Sequence, residues 1–161
     1  MDRAFHEYFM RLAMNEADKA DAADEVPTGC VIIEKPAADD AKPWSAKVLA
    51  SAHNQTEMLH DPTAHAEMIA ITQAAAAKGD FRLTDTILYV TKEPCAMCAG
   101  AIVLARIPIV VWGVGDPRRG GESLFGILSS DALIHRAEVI DGVLGDEAKT
   151  KLQDFFRRRR E

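Results

Sequence analysis

The 161-residue sequence predicts an α/β domain with helices on both faces of one sheet. Three observations carry that expectation. Short β-branched runs alternate with longer segments whose apolar residues recur at three-and-four spacing. All 7 prolines fall between those segments, where they punctuate. No repeat, low-complexity tract or linker divides the chain, so residues 1–161 read as a single domain.

The elements follow in order. Between residues 2 and 21, Phe5, Phe9, Leu12, Ala13, Ala17 and Ala20 form one apolar stripe, an amphipathic helix. Pro27 and Gly29 close it. Cys30-Val31-Ile32-Ile33 is a short buried strand, and Val48 to His53 returns beside it as a hairpin. Glu34 to Trp44, polar and holding Pro36 and Pro43, is the extended connection. Asn54 to Thr63 has no periodicity and ends in Asp61-Pro62-Thr63, a turn and cap signal.

Ala64 to Lys78 is an alanine-rich helix stopped by Gly79, with His65, Glu67 and Met68 in its first turn. Thr86 to Val90 is a strand and Lys92-Glu93-Pro94 a turn. Ala96 to Arg106 is small or apolar on all sides, so it is a helix buried over most of its circumference, ended by Pro108. Ile109 to Trp112 is a strand, and Gly113 to Ser123 is a loop rich in Gly, Pro and Arg. Ala137 to Ile140 is the last strand. Asp146 to Phe156 is a closing helix that packs through Leu152, Phe155 and Phe156.

Composition narrows the function classes. No apolar run reaches the ~18 to 20 residues that span a bilayer. Met1-Asp2-Arg3-Ala4 does not open a secretory signal, so the expected location is cytoplasmic. The 3 cysteines are an odd number, which argues for metal or thiol chemistry over a disulfide framework. A net charge of -6 disfavours a nucleic-acid partner on its face, but the charge is uneven. The first forty residues are acidic, while Arg118-Arg119 and Phe155-Phe156-Arg157-Arg158-Arg159-Arg160 are not.

Two short motifs carry chemistry. In Pro94-Cys95-Ala96-Met97-Cys98 the thiols stand three apart at a predicted helix start, on one face of its first turn. Such a position favours thiolates through the positive end of the helix. His65 opens the other helix, and two helix starts at one sheet edge bring one nitrogen and two sulfurs together. Three ligands leave tetrahedral zinc one open position, the catalytic pattern. Glu67 stands too close to His65 to share the ion and is better placed to hold a water and move its proton. A Cys-x-x-Cys alone also fits a redox pair or half a structural zinc site; His-x-Glu upstream favours catalysis.

His65-Ala66-Glu67 followed by Pro94-Cys95-Ala96-Met97-Cys98 resembles the zinc-dependent cytidine deaminase-like superfamily. Asp61 to Glu67, Leu88 to Ala101, Glu25-Val26-Pro27 with Gly29, the Gly113 to Gly120 loop and Phe155-Phe156-Arg157 are similar to the branch that deaminates adenosine in tRNA. The resemblance implies a three-layer α/β/α fold with a five-stranded mixed sheet, a Zn2+ cofactor and a homodimer. It implies hydrolytic deamination: water adds at the ring carbon bearing the amine, Glu67 moves the proton, and ammonia leaves. It makes Asn54 a contact to the target base and Pro27 to Cys30 the pocket floor. The backbone N–H of Ala66 would hold the nascent oxygen or water. Asp116 would contact the ribose or backbone beside the flipped nucleotide, and Arg118, Phe156 and Arg157 would grip the anticodon loop.

Plainer roles stand beside these. Asn54 suits a turn, Asp116 sits in a Gly-Asp-Pro turn, and Arg157 to Arg160 suit a solvated helix end. The chain departs from the pattern in a shorter Gly113 to Leu128 loop carrying Glu122, in Cys30, and in the Lys35 to Pro43 insertion. The expected function is conversion of adenosine to inosine at the tRNA wobble position. A free base or nucleoside deaminase of guanine or cytosine type is the alternative, and a non-catalytic zinc-stabilised binding domain is the third reading.

Overall fold

The computed structural model describes residues 1–161. Its elements run α1 (Arg3–Ala22), β1 (Gly29–Glu34), β2 (Val48–His53), α2 (Thr56–Leu59), α3 (Ala66–Lys78), β3 (Thr86–Lys92), α4 (Ala96–Leu104), β4 (Ile109–Val114), β5 (Glu138–Ile140) and α5 (Gly145–Arg160). The strands form one sheet in the order β2-β1-β3-β4-β5. β1 is antiparallel to β2 and β3, while β3, β4 and β5 run parallel. The expected five-stranded mixed sheet is therefore present.

Strand alternation divides the interior into two cores. Cys30, Ile32, Leu88, Val90, Val110 and Trp112 face α3 and α4, meeting Ala66, Ala70, Ala74, Ala99, Ile102 and Val103. Val31, Ile33, Ile87, Tyr89 and Val111 point the other way, onto Phe5, Phe9, Met10, Ala13 and Met14 of α1 and Ala148 of α5. These strands are apolar on both faces, as a covered sheet requires. The layers are α/β/α. Gly29 lets α1 lie close on β1: a Cβ there would stand 1.9 Å from the Ala13 carbonyl oxygen.

The helices differ from the sequence reading at several points. α2 is a single turn inside Asn54 to Thr63. It is held from outside by buried Glu25, whose carboxylate accepts from the Thr56 hydroxyl and from the N–H groups of Glu57 and Met58. α3 starts at Ala66, with His65 in extended backbone at the N-cap. Asp61 and Thr63 make a separate turn. α4 stops at Leu104, and Arg106 turns left-handed (φ 57°) before Pro108 is reached. α5 runs on through the four arginines to Arg160.

No helix is long and apolar enough to cross a membrane. The N-terminal ends of α3 and α4 lie at one edge of the sheet, with the C-terminal ends of β2, β3 and β4. Ligands gather there in open α/β sheets.

Candidate metal centre and active site

His65 and Cys95 occupy the N-cap positions of α3 and α4, and Cys98 lies within the first turn of α4. The His65 Nδ1 stands 3.5 Å from the Cys95 Sγ and 3.6 Å from the Cys98 Sγ. Tetrahedral zinc, with Zn–N ~2.0 Å and Zn–S ~2.3 Å, sets nitrogen and sulfur ~3.5 Å apart. All three ligand atoms lie within 4.8 Å of one another. The donor set and its spacing fit zinc.

The electrostatics of the cluster agree. The Cys95 thiol is pulled down to about 3, first by the hydrogen bond from Cys98, with His65 adding to it against the cost of burial. Cys98 moves up, through the bond it donates to Cys95 and through burial. A bound dication would favour both sulfurs as thiolates. His65 is raised, mainly by its bond to Cys95.

Glu67 is 3% exposed, and its Oε1 is buried with no hydrogen-bond partner. Burial pushes its carboxyl up, and the hydrogen bond with Cys98 works against that. A buried carboxylate oxygen left unpaired costs free energy unless a ligand completes it. The orphan oxygen points to a water or substrate atom as its missing partner.

His65, Glu67 and Cys95 line a cavity of about 170 Å³ together with Val26, Thr28, Asn54, Lys92, Glu93, Arg119 and Phe156. Asn54 was expected on the base. Its Oδ1 accepts from the Ala66 N–H at 2.8 Å. A backbone N–H can only donate, so the amide oxygen must face it, which leaves the NH2 for the cavity. The Ala66 N–H, expected to hold the nascent oxygen or water, is donated to Asn54 in this structure. Pro27 to Cys30 were expected on the pocket floor, and of these Thr28 lines the cavity. Pro27 is buried but does not line the cavity; its neighbours Val26 and Thr28 do. Cys30 is buried behind the site, near enough for Glu67 to add to the upward push that burial gives its thiol.

Asp116 and Arg118 lie next door. They line a groove of about 530 Å³ with Lys92, Lys149, Arg160 and Phe156. Burial raises the Asp116 carboxyl, but the Lys92 ammonium at 2.9 Å and the N–H groups of Arg118 and Arg119 outweigh it, and the net shift is down. Phe156 borders both the cavity and the groove. Arg157 borders neither; it pairs with Asp154 at 2.7 Å. Sequence reasoning missed Lys92, Glu93 and Arg119. Lys92 and Glu93 directly precede the Pro94-Cys95 motif and read only as a turn, while Arg119 lies in a loop that folding brings to the cluster.

Residues 3–114 match the family model of the cytidine and deoxycytidylate deaminase zinc-binding region. The chain belongs to the cytidine and deoxycytidylate deaminase family. It is 42% identical over 155 residues to a tRNA-specific adenosine deaminase of Streptococcus pyogenes, covering 96% of this chain and 91% of that protein. Among solved structures, a tRNA:A34 deaminase that edits A to I at the wobble position of transfer RNA superposes with a TM-score of 0.79 at 40% identity. That match covers 90% of this chain and 99% of the other. A guanine deaminase of Bacillus subtilis matches at TM-score 0.59 and 36% identity, over 71% of this chain and 66% of that one. The zinc-binding deaminase fold and the Zn2+ cofactor of the family accord with the His65, Cys95 and Cys98 cluster.

Proposed function

We propose that this chain is a hydrolytic deaminase converting adenosine to inosine at the wobble position of tRNA, with residues 1–161 forming one catalytic domain. The observation that carries this reading is a small cavity opening beside a cationic groove. A cavity of about 170 Å³ is below the ~300–1,000 Å³ used for whole ligands, so it suits a single base. Sugar and phosphate then lie outside, along Lys92, Arg118, Lys149 and Arg160. A free base needs no such groove. The tRNA-specific relatives support the same substrate.

His65, Cys95 and Cys98 would hold the zinc, with Glu67 beside them. Bound there, zinc supplies a Lewis acid that makes water reactive near neutral pH. Glu67 takes a proton from the attacking water and passes it to the ring nitrogen, then takes the proton of the added hydroxyl and delivers it to the amine, which leaves as ammonia while the carbonyl forms. Asn54 orients the base through its NH2. Phe156 closes the cavity against the groove and offers a face on which a base can stack.

Exposed apolar side chains on α4 support a homodimer. Leu104 and Ile134 are 63% and 66% exposed, and they border an apolar depression with Met97, Ala101 and Leu133. A patch of this kind beside an active site is a docking face. The tRNA substrate also implies a cytoplasmic location.

The test is turnover by zinc-loaded protein. An anticodon stem-loop carrying wobble adenosine should yield inosine and ammonia, and free guanine, cytosine and adenosine should not. Turnover of guanine without the stem-loop would establish the second reading, which the guanine deaminase likeness favours. Zinc-dependent folding with no turnover at all would leave a binding domain.

A further inference from the structure

Glu93 lies between β3 and Pro94 and is 3% exposed. A carboxylate buried that deeply needs donors. It has four, all from one loop. Oε1 accepts from the Asp116 N–H at 3.0 Å and the Ser123 hydroxyl at 2.5 Å. Oε2 accepts from the N–H groups of Glu122 at 3.2 Å and Ser123 at 2.8 Å. The backbone joins the same two segments. The Gly121 N–H donates to the Pro94 carbonyl at 2.8 Å, and Gly120 pairs with Cys95 as an antiparallel bridge. A Cβ on Gly120 would stand 2.0 Å from Glu93 Oε2, so the approach admits no side chain.

Arg119 is the residue this clamp presents. It is exposed yet lines the cavity with His65, Glu67 and Asn54, which puts it at the mouth. Its backbone N–H is held by Asp116 Oδ1 at 3.0 Å. Arg157, Arg158 and Arg159 are committed to Asp154, Asp21 and Asp24. Arg119 is committed to no carboxylate. A guanidinium offers a planar fork of donors matched to phosphate oxygens.

We propose that Glu93 is a positioning residue: it clamps the 116–123 loop to the metal loop and so holds Arg119 at the cavity mouth, where Arg119 binds the phosphate next to the base being deaminated. This rests on the reading of the substrate as a nucleotide within RNA.

The experiment compares wild type, Glu93→Ala, Arg119→Ala and the double variant, all zinc-loaded, on the wobble-adenosine stem-loop. Each single variant should raise KM about tenfold, the worth of one charge-assisted hydrogen bond, with kcat within about twofold. The double variant should be no worse than the worse single one, because Glu93 acts through Arg119. Zinc content should match wild type throughout. Amide exchange at Asp116, Glu122 and Ser123 should accelerate in Glu93→Ala and not in Arg119→Ala. Additive effects, unchanged KM, or zinc loss in Glu93→Ala would each overturn the proposal. Should Glu93→Ala fail to fold, Ser123→Ala removes one donor and must move exchange and KM the same way by less; no change overturns the clamp. Wild type that deaminates free guanine but not the stem-loop defeats the substrate reading and with it the phosphate contact. Exchange then judges the clamp alone: lost protection in Glu93→Ala supports it, and retained protection overturns it.

Discussion

Glu67 keeps a carboxylate oxygen buried and unpaired in a chain that satisfies its other buried side-chain polar atoms. Such a group lowers stability and is retained for what it does when a ligand arrives. Glu67→Gln should therefore lower kcat by roughly a hundred- to ten-thousand-fold, the range general acid/base catalysis supplies. Its melting temperature should stay level or rise, and zinc content should not change. A variant with full activity would remove Glu67 from proton transfer. Asn54 tests the neighbouring assignment. Asn54→Ala leaves the Ala66 N–H without its acceptor and the cavity without an amide donor. It should cost at least about tenfold in kcat/KM on the stem-loop while the fold persists. His65, Cys95, Cys98 and Glu67 were all legible in the sequence because they sit in two short motifs. Lys92 and Glu93 adjoin the Pro94-Cys95 motif but were not legible, because the groups they hold lie in the 116–123 loop, and Arg119 was not, because only folding brings that loop to the cavity.

α1 shows how helix and sheet are joined. Gly29→Ala would drive a methyl group into the Ala13 carbonyl and to 2.6 Å from the Ala17 nitrogen. Overpacking of this kind costs about 1–3 kcal/mol, read as a lower midpoint in urea unfolding. At the same junction Glu16 accepts from Lys19 at 2.7 Å and pairs with His53 at 3.1 Å, tying α1 to the end of β2. Burial raises the Glu16 carboxyl, but Lys19 and His53 outweigh it, so it sits below its ordinary 4.5. A carboxyl lower in the folded than in the unfolded state stabilises the fold above the unfolded value. That contribution disappears as pH falls through the folded value. Glu16→Gln should thus melt lower than wild type at pH 7, and the gap should close in acid, below pH ~4. A gap that persists at acid pH would assign the effect to shape and not to charge. α2 was invisible to periodicity for a related reason: its cap, Glu25, belongs to another segment.

Charge distribution changes meaning once the molecule is assembled. In sequence the N-terminal part is acidic and the C-terminal run basic. In the fold they partly neutralise each other: Lys151, Arg158 and Arg159 pair with Asp18, Asp21 and Asp24, and Glu147 pairs in the reverse sense with Arg11. The cations beside the cavity that no carboxylate takes up, Arg118, Lys149 and Arg160, come from the 115–123 loop and α5, while Lys92 of β3 is paired with Asp116. Binding of the stem-loop should weaken with added salt, and Arg118→Ala with Lys149→Ala should flatten the log–log slope by about 0.7 for each phosphate no longer neutralised. The proposed homodimer has its own check. Leu104→Lys should shift the sedimentation coefficient to that of a monomer, since a charge at the centre of an apolar seam is buried unpaired. A dimer that survives the substitution would place the seam elsewhere. By itself the sequence determined the alternation of strands and helices, the two-sided sheet and the candidate cluster of His65, Cys95 and Cys98 with Glu67, since periodicity and fixed spacing are local properties. The tertiary structure alone decided which carboxylates cap distant segments, which arginines are taken up in ion pairs, and which cations reach the cavity. Those depend on the burial and meeting of residues far apart along the chain, and no local pattern encodes them.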